Sequence, residues 1–363
     1  MNRWISFFKQ SFPKSSLRKS IEEATGMVKL DGTFQSLVDE KKVPGLSVTL
    51  LKNGVQLLQK GYGMASLEDK KPIEPKTTLF RVASISKCIT GLALGKMVEE
   101  GLMSWDDSLY DHVPYYPKKS FDMTLRQLAS HTAGIRGYQG KEFALNQPWG
   151  IQDSIAIFKD DHLVFEPGQG YLYNSFDFVL LSLAIQEASG IPFEDYVREN
   201  VLLPLEMRNT FAPQAVSASV LGERGISTSD FYTRAGLSFK KAIAVNNQYK
   251  LGGGGYLSTS ADVAGMGQAI LEGKLLKSKT YKQLLAPQKV KGGSVYYGLG
   301  FQVSQDGKGR DFIGHVGNSV GAYTNIFVYP KEKWVVSILI HCTDPKVQED
   351  LDYAIQVLLP TLP

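Results

Sequence analysis

The sequence predicts an α+β fold: an antiparallel sheet built from both ends of the chain and flanked by helices, with a mostly helical domain inserted between. Three observations carry this. Residues 43–63 hold two apolar runs around Asn53-Gly54, a strong signal for a two-residue hairpin turn. Residues 297–304, 311–316, 322–329 and 334–341 read as four more strands, with turns at Asp306-Gly307 and 330–333. Between these β-rich ends, apolar residues recur at helical rather than alternating spacing.

From about Ser84 to Gly101 the residues Ile85, Cys88, Ile89, Leu92, Ala93 and Met97 recur every three or four positions, and Gly101 stops the helix. Shorter helices are expected at 124–130, 177–189 and 193–203, separated by turns rich in Pro, Gly and Asp. An amphipathic helix is expected at about 347–359. The expected organisation is a basic tail over 1–33 and one folded domain over 34–363. Its α/β part covers about 34–83 and 251–363, and its helical part about 84–250. Such an arrangement places a site in the crevice between the two parts.

The 363 residues are 43% hydrophobic, enough for a sizeable core. The formal charge of +4 is uneven. Residues 1–20 contain Arg3, Lys9, Lys14, Arg18 and Lys19 and no acid, so the remainder is close to neutral and has no nucleic-acid footprint. Cys88 and Cys342 make neither a disulfide framework nor a CxxC pair, and read as reduced, buried, small hydrophobes. The five histidines show no metal-binding spacing, so neither a metal nor a cofactor is expected. No apolar run is long enough to span a membrane. The basic, aromatic segment 1–20 lacks an export-signal pattern and reads as a tail, with weak contact to a membrane surface as the alternative. The expected compartment is the cytoplasm, against a membrane-associated or exported location. Oligomeric state is left open.

A Ser-x-x-Lys pair places a lysine on the same helix face as a serine. If the amine is desolvated its pKa falls, and it can take the hydroxyl proton. The pattern occurs at Ser6, Ser11, Ser16, Ser84 and Ser238. Only Ser84-Ile85-Ser86-Lys87 opens an apolar helix, where free N–H groups and the helix dipole favour developing negative charge. By itself this serine could equally be a helix cap.

The segment 80–90, FRVASISKCIT, resembles the nucleophile region of the class C β-lactamase and penicillin-binding-protein superfamily, including its esterase branch and the mitochondrial serine β-lactamase-like proteins. Further landmarks follow in the same order. Residues 128–135, LASHTAGI, resemble the family's Ser-His-Thr-Ser-Gly segment, and Glu166-Pro167-Gly168 followed by Tyr171-Leu172-Tyr173-Asn174-Ser175 resembles the approach to its second motif. Residues 252–259, GGGGYLST, resemble its GG-x-x-ST stretch, and His315-Val316-Gly317 its third motif in a histidine form. The likeness runs from about residue 34 to the C-terminus. Two departures stand out. Serine, Ser175, takes the asparagine position of Tyr-x-Asn, and histidine, His315, replaces the lysine of Lys-[Thr/Ser]-Gly. A literal Tyr-x-Asn at Tyr323-Thr324-Asn325 lies on an expected strand and is read as chance.

The resemblance implies a β-lactamase/transpeptidase-like fold and an acyl-enzyme hydrolase. Ser84 is the implied nucleophile, and Lys87 takes its proton or holds its geometry, with the main general base left open between Lys87 and Tyr173. Tyr173, its pKa lowered by the lysine charge, shuttles the proton. His315 lines the opposite wall and faces the leaving group or substrate. The backbone of Ser84 and Asn318, beside Gly317, forms the oxyanion hole, and Ser175 bonds Lys87 or the substrate. His131 is expected to serve a turn, and Asp106 and Asp107 a solvated cap. A neutral histidine in the third motif binds a carboxylate less well than lysine, so the expected substrates are small esters or peptides and amides, with weak or no β-lactam turnover. The alternatives are a D,D-peptidase or β-lactamase proper, and a self-assembling scaffold with the same fold.

Overall fold

The computed structural model describes residues 26–358. The basic segment 1–20 and residue 359 of the expected last helix lie outside the described residues. The chain divides into two units, residues 44–344 and the two flanking segments.

In the flanking unit, helix α1 (Gly26–Asp39) buries Leu30, Phe34 and Leu37, an i, i+4, i+7 stripe. It runs across the expected boundary at 33/34 because that stripe begins before the boundary. Helix α5 (Gln348–Leu358) buries Leu351, Ala354, Ile355 and Leu358. The two helices pack together, and Lys42 Nζ lies 3.1 Å from Asp350 Oδ1.

The larger unit is organised on a seven-stranded sheet. Its strands are β1 (Gly45–Lys52), β2 (Val55–Ser66), β3 (Lys71–Pro72), β4 (Gln302–Gln305), β5 (Asp311–Ser319), β6 (Ala322–Tyr329) and β7 (Trp334–Ile340). The spatial order is β4-β5-β6-β7-β1-β2-β3, with every neighbouring pair antiparallel. The β1–β2 hairpin turns at Asn53 (φ 50°) and Gly54 (φ 77°), both left-handed as such a turn requires. β1 and β7 pair from Leu46↔Ile340 to Lys52↔Trp334, joining the two ends of the sequence at the sheet centre.

Helix α2 spans Ser86–Glu99, α3 Phe176–Ser189 and α4 Ser260–Leu271. α4 lies across β1, β6 and β7. Ser260 Oγ bonds Ser47 (2.7 Å) and Thr49 (2.9 Å), and a Cβ on Gly267 would come within 2.6 Å of Val335 Cγ1. α2 is the apolar helix expected after Ser84: every residue from Ser86 to Gly95 is buried, so it is a core helix. α3 is buried along Phe176–Ile185 in the same way. No single helix among the described residues is long and apolar enough to cross a membrane.

Two expectations are corrected. The strand expected at 297–304 is confined to Gln302–Gln305. Gly298 and Gly300 thread instead against other backbone: a Cβ at Gly298 would meet Leu284 O at 2.3 Å, and one at Gly300, where φ is +90°, would meet Lys87 O at 2.5 Å. The mostly helical middle also contains the hairpin Tyr232–Ala235 and Ser238–Lys241, which takes up the Ser238-x-x-Lys241 pattern on a strand. Both cysteines are free and buried.

Candidate active site

Strand Thr78–Arg81 leads into a single 3-10 turn, Ala83–Ile85, which hands the chain to α2. Ala83 has φ +46°, a left-handed geometry uncommon for alanine. Thr324 Oγ1 donates to Val82 O (2.9 Å) and the Tyr256 N–H donates to Ser86 Oγ (3.2 Å), pinning both sides of the turn. Ser84 is thereby held partly exposed at the mouth of a buried helix.

Lys87, one turn on, is fully buried. Its Nζ lies 2.6 Å from Gly253 O, 3.4 Å from Ser84 Oγ and 3.4 Å from Ser175 Oγ, and 4.7 Å from the centre of the Tyr173 ring. Burial, and then the like charge of Lys250, bring its pKa down from 10.5 to about 7, against a smaller opposing pull from Asp177. Tyr173 Oη donates to Ser84 Oγ at 2.6 Å. Its pKa is raised, not lowered as expected: desolvation of the phenol outweighs the hydrogen bond to Ser84. Of the two lowered pKa values expected, the lysine's is found and the tyrosine's is not.

β5 runs past Ser84 on the other side. Its ladder with β4 ends at Gln302↔Gly314, which leaves residues 315–319 free of β4 apart from the Val316 N–H, capped by Gln302 Oε1 (3.1 Å). At Gly317 a Cβ would sit 2.8 Å from the Ser84 nitrogen and 2.4 Å from Thr324 Oγ1, so a side chain there has no room. Asn318, Ser84, Ser175 and Gly253 line one crevice of about 50 Å³.

His315 sits elsewhere than expected. It is 1% exposed. Its Nδ1 is 2.7 Å from Val316 O, so that nitrogen carries the proton, and Nε2, 2.9 Å from Tyr297 Oη, accepts from the phenol. Burial brings its pKa down to about 3. Both nitrogens are occupied and the ring is neutral. It backs Tyr173 (ring centres 5.8 Å apart) rather than facing a leaving group.

Sequence reasoning missed the layer behind Tyr173. His131 Nδ1 lies 2.8 Å from Asp177 Oδ2, which also accepts from Asn174 Nδ2 at 2.7 Å. The His131 ring stands 4.6 Å from Tyr173 and 4.8 Å from Tyr297. Burial holds the histidine well below and the aspartate well above their usual pKa values, so desolvation opposes charge on both members of this bonded pair. The signals were present as His131, Asn174 and Asp177, but nothing in their spacing joins 131 to 177. Lys250 was missed as well. It is 4% exposed, lines the Ser84 crevice, and donates to Phe143 O at 2.5 Å.

The model of the family described as Beta-lactamase matches residues 30–359. The chain belongs to this family. It is a family of hydrolases with the penicillin-binding-protein fold. Human mitochondrial serine beta-lactamase-like protein LACTB is 26% identical to the chain, over 81% of its length and 70% of the relative's. Penicillin-binding protein 4* of Bacillus subtilis is 24% identical, over 91% and 74%. Among solved structures, the octameric penicillin-binding protein homologue from Pyrococcus abyssi superposes with a TM-score of 0.79 at 25% identity, covering 92% of this chain and 78% of that one. Of the two motif positions singled out in the sequence, Ser175 lies 3.4 Å from Lys87 Nζ and His315 is buried.

Proposed function

We propose that the protein hydrolyses small esters or peptides and amides through an acyl-enzyme on Ser84, with weak or no turnover of β-lactams. The observation that carries this reading is the convergence of Tyr173 Oη and Lys87 Nζ on Ser84 Oγ, with the lysine pKa brought down to about 7 so that a large share of the amine is neutral at pH 7. A neutral amine has two N–H donors and one lone pair. The donors suit Gly253 O and Ser175 Oγ, and the lone pair is left for the Ser84 hydroxyl.

In acylation, Lys87 takes the Ser84 proton as Oγ attacks the carbonyl carbon. The developing oxyanion is held by the N–H groups of Ser84 and Asn318. On collapse the leaving group takes a proton from the Tyr173 hydroxyl, which Lys87 replenishes, so the phenol relays without standing as phenolate. Water then attacks the acyl-enzyme, losing its proton by the same route in reverse. The third motif supplies no cation, since His315 is neutral and enclosed, which weakens carboxylate binding at the place where lysine binds it in the Lys-Thr-Gly form.

The test is intact mass after treatment with a fluorophosphonate, with p-nitrophenyl butyrate and nitrocefin turnover measured alongside. One adduct on wild type, absent from Ser84→Ala, with ester turnover above nitrocefin turnover, is the expected result. No adduct, or nitrocefin strongly preferred, overturns the reading.

A further inference from the structure

Beyond the Ser84 crevice lies a larger cavity of about 470 Å³. The two are linked through short stretches of chain. Arg81 in the cavity wall is three residues before Ser84, Gly255 follows the crevice residue Gly254, and Val320, which accepts from Arg81 Nη1 at 2.8 Å, follows the crevice residue Ser319.

No acidic residue lines this cavity, and Arg81 is the charged side chain in its wall. The guanidinium stacks on the Phe231 ring at 3.8 Å, and no carboxylate pairs with it among the described residues. Desolvation alone brings its pKa down, to about 10, so it stays charged at pH 7. Lys250, at the crevice edge, likewise has a backbone carbonyl and no carboxylate as partner among the described residues, but burial brings its pKa down to about 7, so Arg81 is the group that stays fully charged at pH 7. A cation drawn out of water without a counter-charge is unfavourable, and a guanidinium fork with free donors matches a carboxylate. Asn246, Trp149 and Thr228 offer further polar and aromatic wall around it.

We infer that this cavity binds the carboxylate-bearing part of the substrate, with Arg81 as the principal contact. The inference rests on the hydrolase reading above and narrows its substrate class to anionic esters or amides. It also moves carboxylate recognition from the third motif to the strand that leads into Ser84.

The test compares matched ester pairs on the full chain at low salt. One pair places charge on the acyl side, the p-nitrophenyl monoester of adipic acid against p-nitrophenyl hexanoate. The other places it on the leaving group, 4-carboxyphenyl butyrate against its methyl ester. In one pair wild type should favour the anionic member at least tenfold in kcat/KM, and which pair it is shows which part of the substrate the cavity holds. Arg81→Met should reduce that ratio at least tenfold. Val216→Asp, which places an acid in the wall without touching the Arg81–Val320 bond, should do the same. Ratios near one in both pairs, or a preference that survives in both folded variants, would overturn the inference. If no ester is turned over, the hydrolase reading fails separately. Calorimetric titration of adipate and 4-hydroxybenzoate into Ser84→Ala then decides. Saturable binding weakened at least tenfold by adding Val216→Asp upholds the cavity as a carboxylate site, and absence of binding overturns it.

Discussion

Gly317 approaches Ser84 so closely that a Cβ at position 317 would stand 2.8 Å from the Ser84 backbone nitrogen. The strand and the nucleophile turn therefore pack with no room for a side chain at 317. Gly317→Ala should push β5 away from Ser84 and widen the gap between the Ser84 and Asn318 N–H groups. Loss of one oxyanion donor lowers kcat about 10²–10³-fold. Steady-state kinetics on p-nitrophenyl butyrate should show a fall of that order, with KM changing far less.

Lys87 acts as a base only when neutral. Its folded pKa lies at about 7, below its ordinary value, so the active form accumulates as pH rises through that point. kcat/KM for a neutral ester should climb with pH around 7 and then level off. The Lys250 charge contributes to this depression. Lys250→Met removes it, and the rising limb should move to higher pH. A limb that stays in place in a folded variant would disconnect the two amines.

The same shift has a stability consequence. Below the unfolded pKa of 10.5 the unfolded chain keeps the Lys87 proton, while the folded chain gives it up above about 7. The unfolded state binds more protons between these values, so Lys87 contributes stability that rises with pH across that window. Lys87→Met should flatten this part of the urea-midpoint profile between pH 7 and 10 while abolishing turnover.

Tyr173→Phe keeps the ring that packs on His131 and removes the hydroxyl 2.6 Å from Ser84 Oγ. Loss of a positioned proton donor costs about 10²–10⁴-fold in rate. The loss should be larger for an alkyl ester than for a p-nitrophenyl ester, whose leaving group needs little protonation. Equal losses for both would argue that the hydroxyl only orients Ser84.

The His131–Asp177 bond is enclosed behind Tyr173. Asp177→Leu leaves the His131 Nδ1 without its partner, while the Asn174 amide keeps the Ile135 and Leu172 carbonyls; an unsatisfied buried polar group costs about 1–3 kcal/mol. Urea unfolding should report a loss of that size, with kcat falling because Tyr173 loses its backing.

Much of this protein was legible in its residue pattern. Local rules are enough for the Asn53-Gly54 hairpin, for strands β5 to β7, and for a helix opening at Ser84, since each depends on near neighbours in sequence. The Ser84–Lys87 pair was legible for the same reason, because one helical turn fixes their common face. The sequence also separated Tyr173 from the literal Tyr323-x-Asn325, which the structure places within β6 with Asn325 fully enclosed. Tertiary structure decided what crosses long stretches of chain. Lys87 meets Ser175 and Gly253 over 88 and 166 residues, and those contacts with the surrounding burial set its charge. His315 looked like a wall residue until Tyr297 and its own neighbour's carbonyl took both nitrogens. Arg81 read as part of a strand, and only the cavity beside it shows a cation with no carboxylate partner among the described residues. Charge state and direction of access depend on desolvation by residues distant in sequence, and no local pattern encodes them.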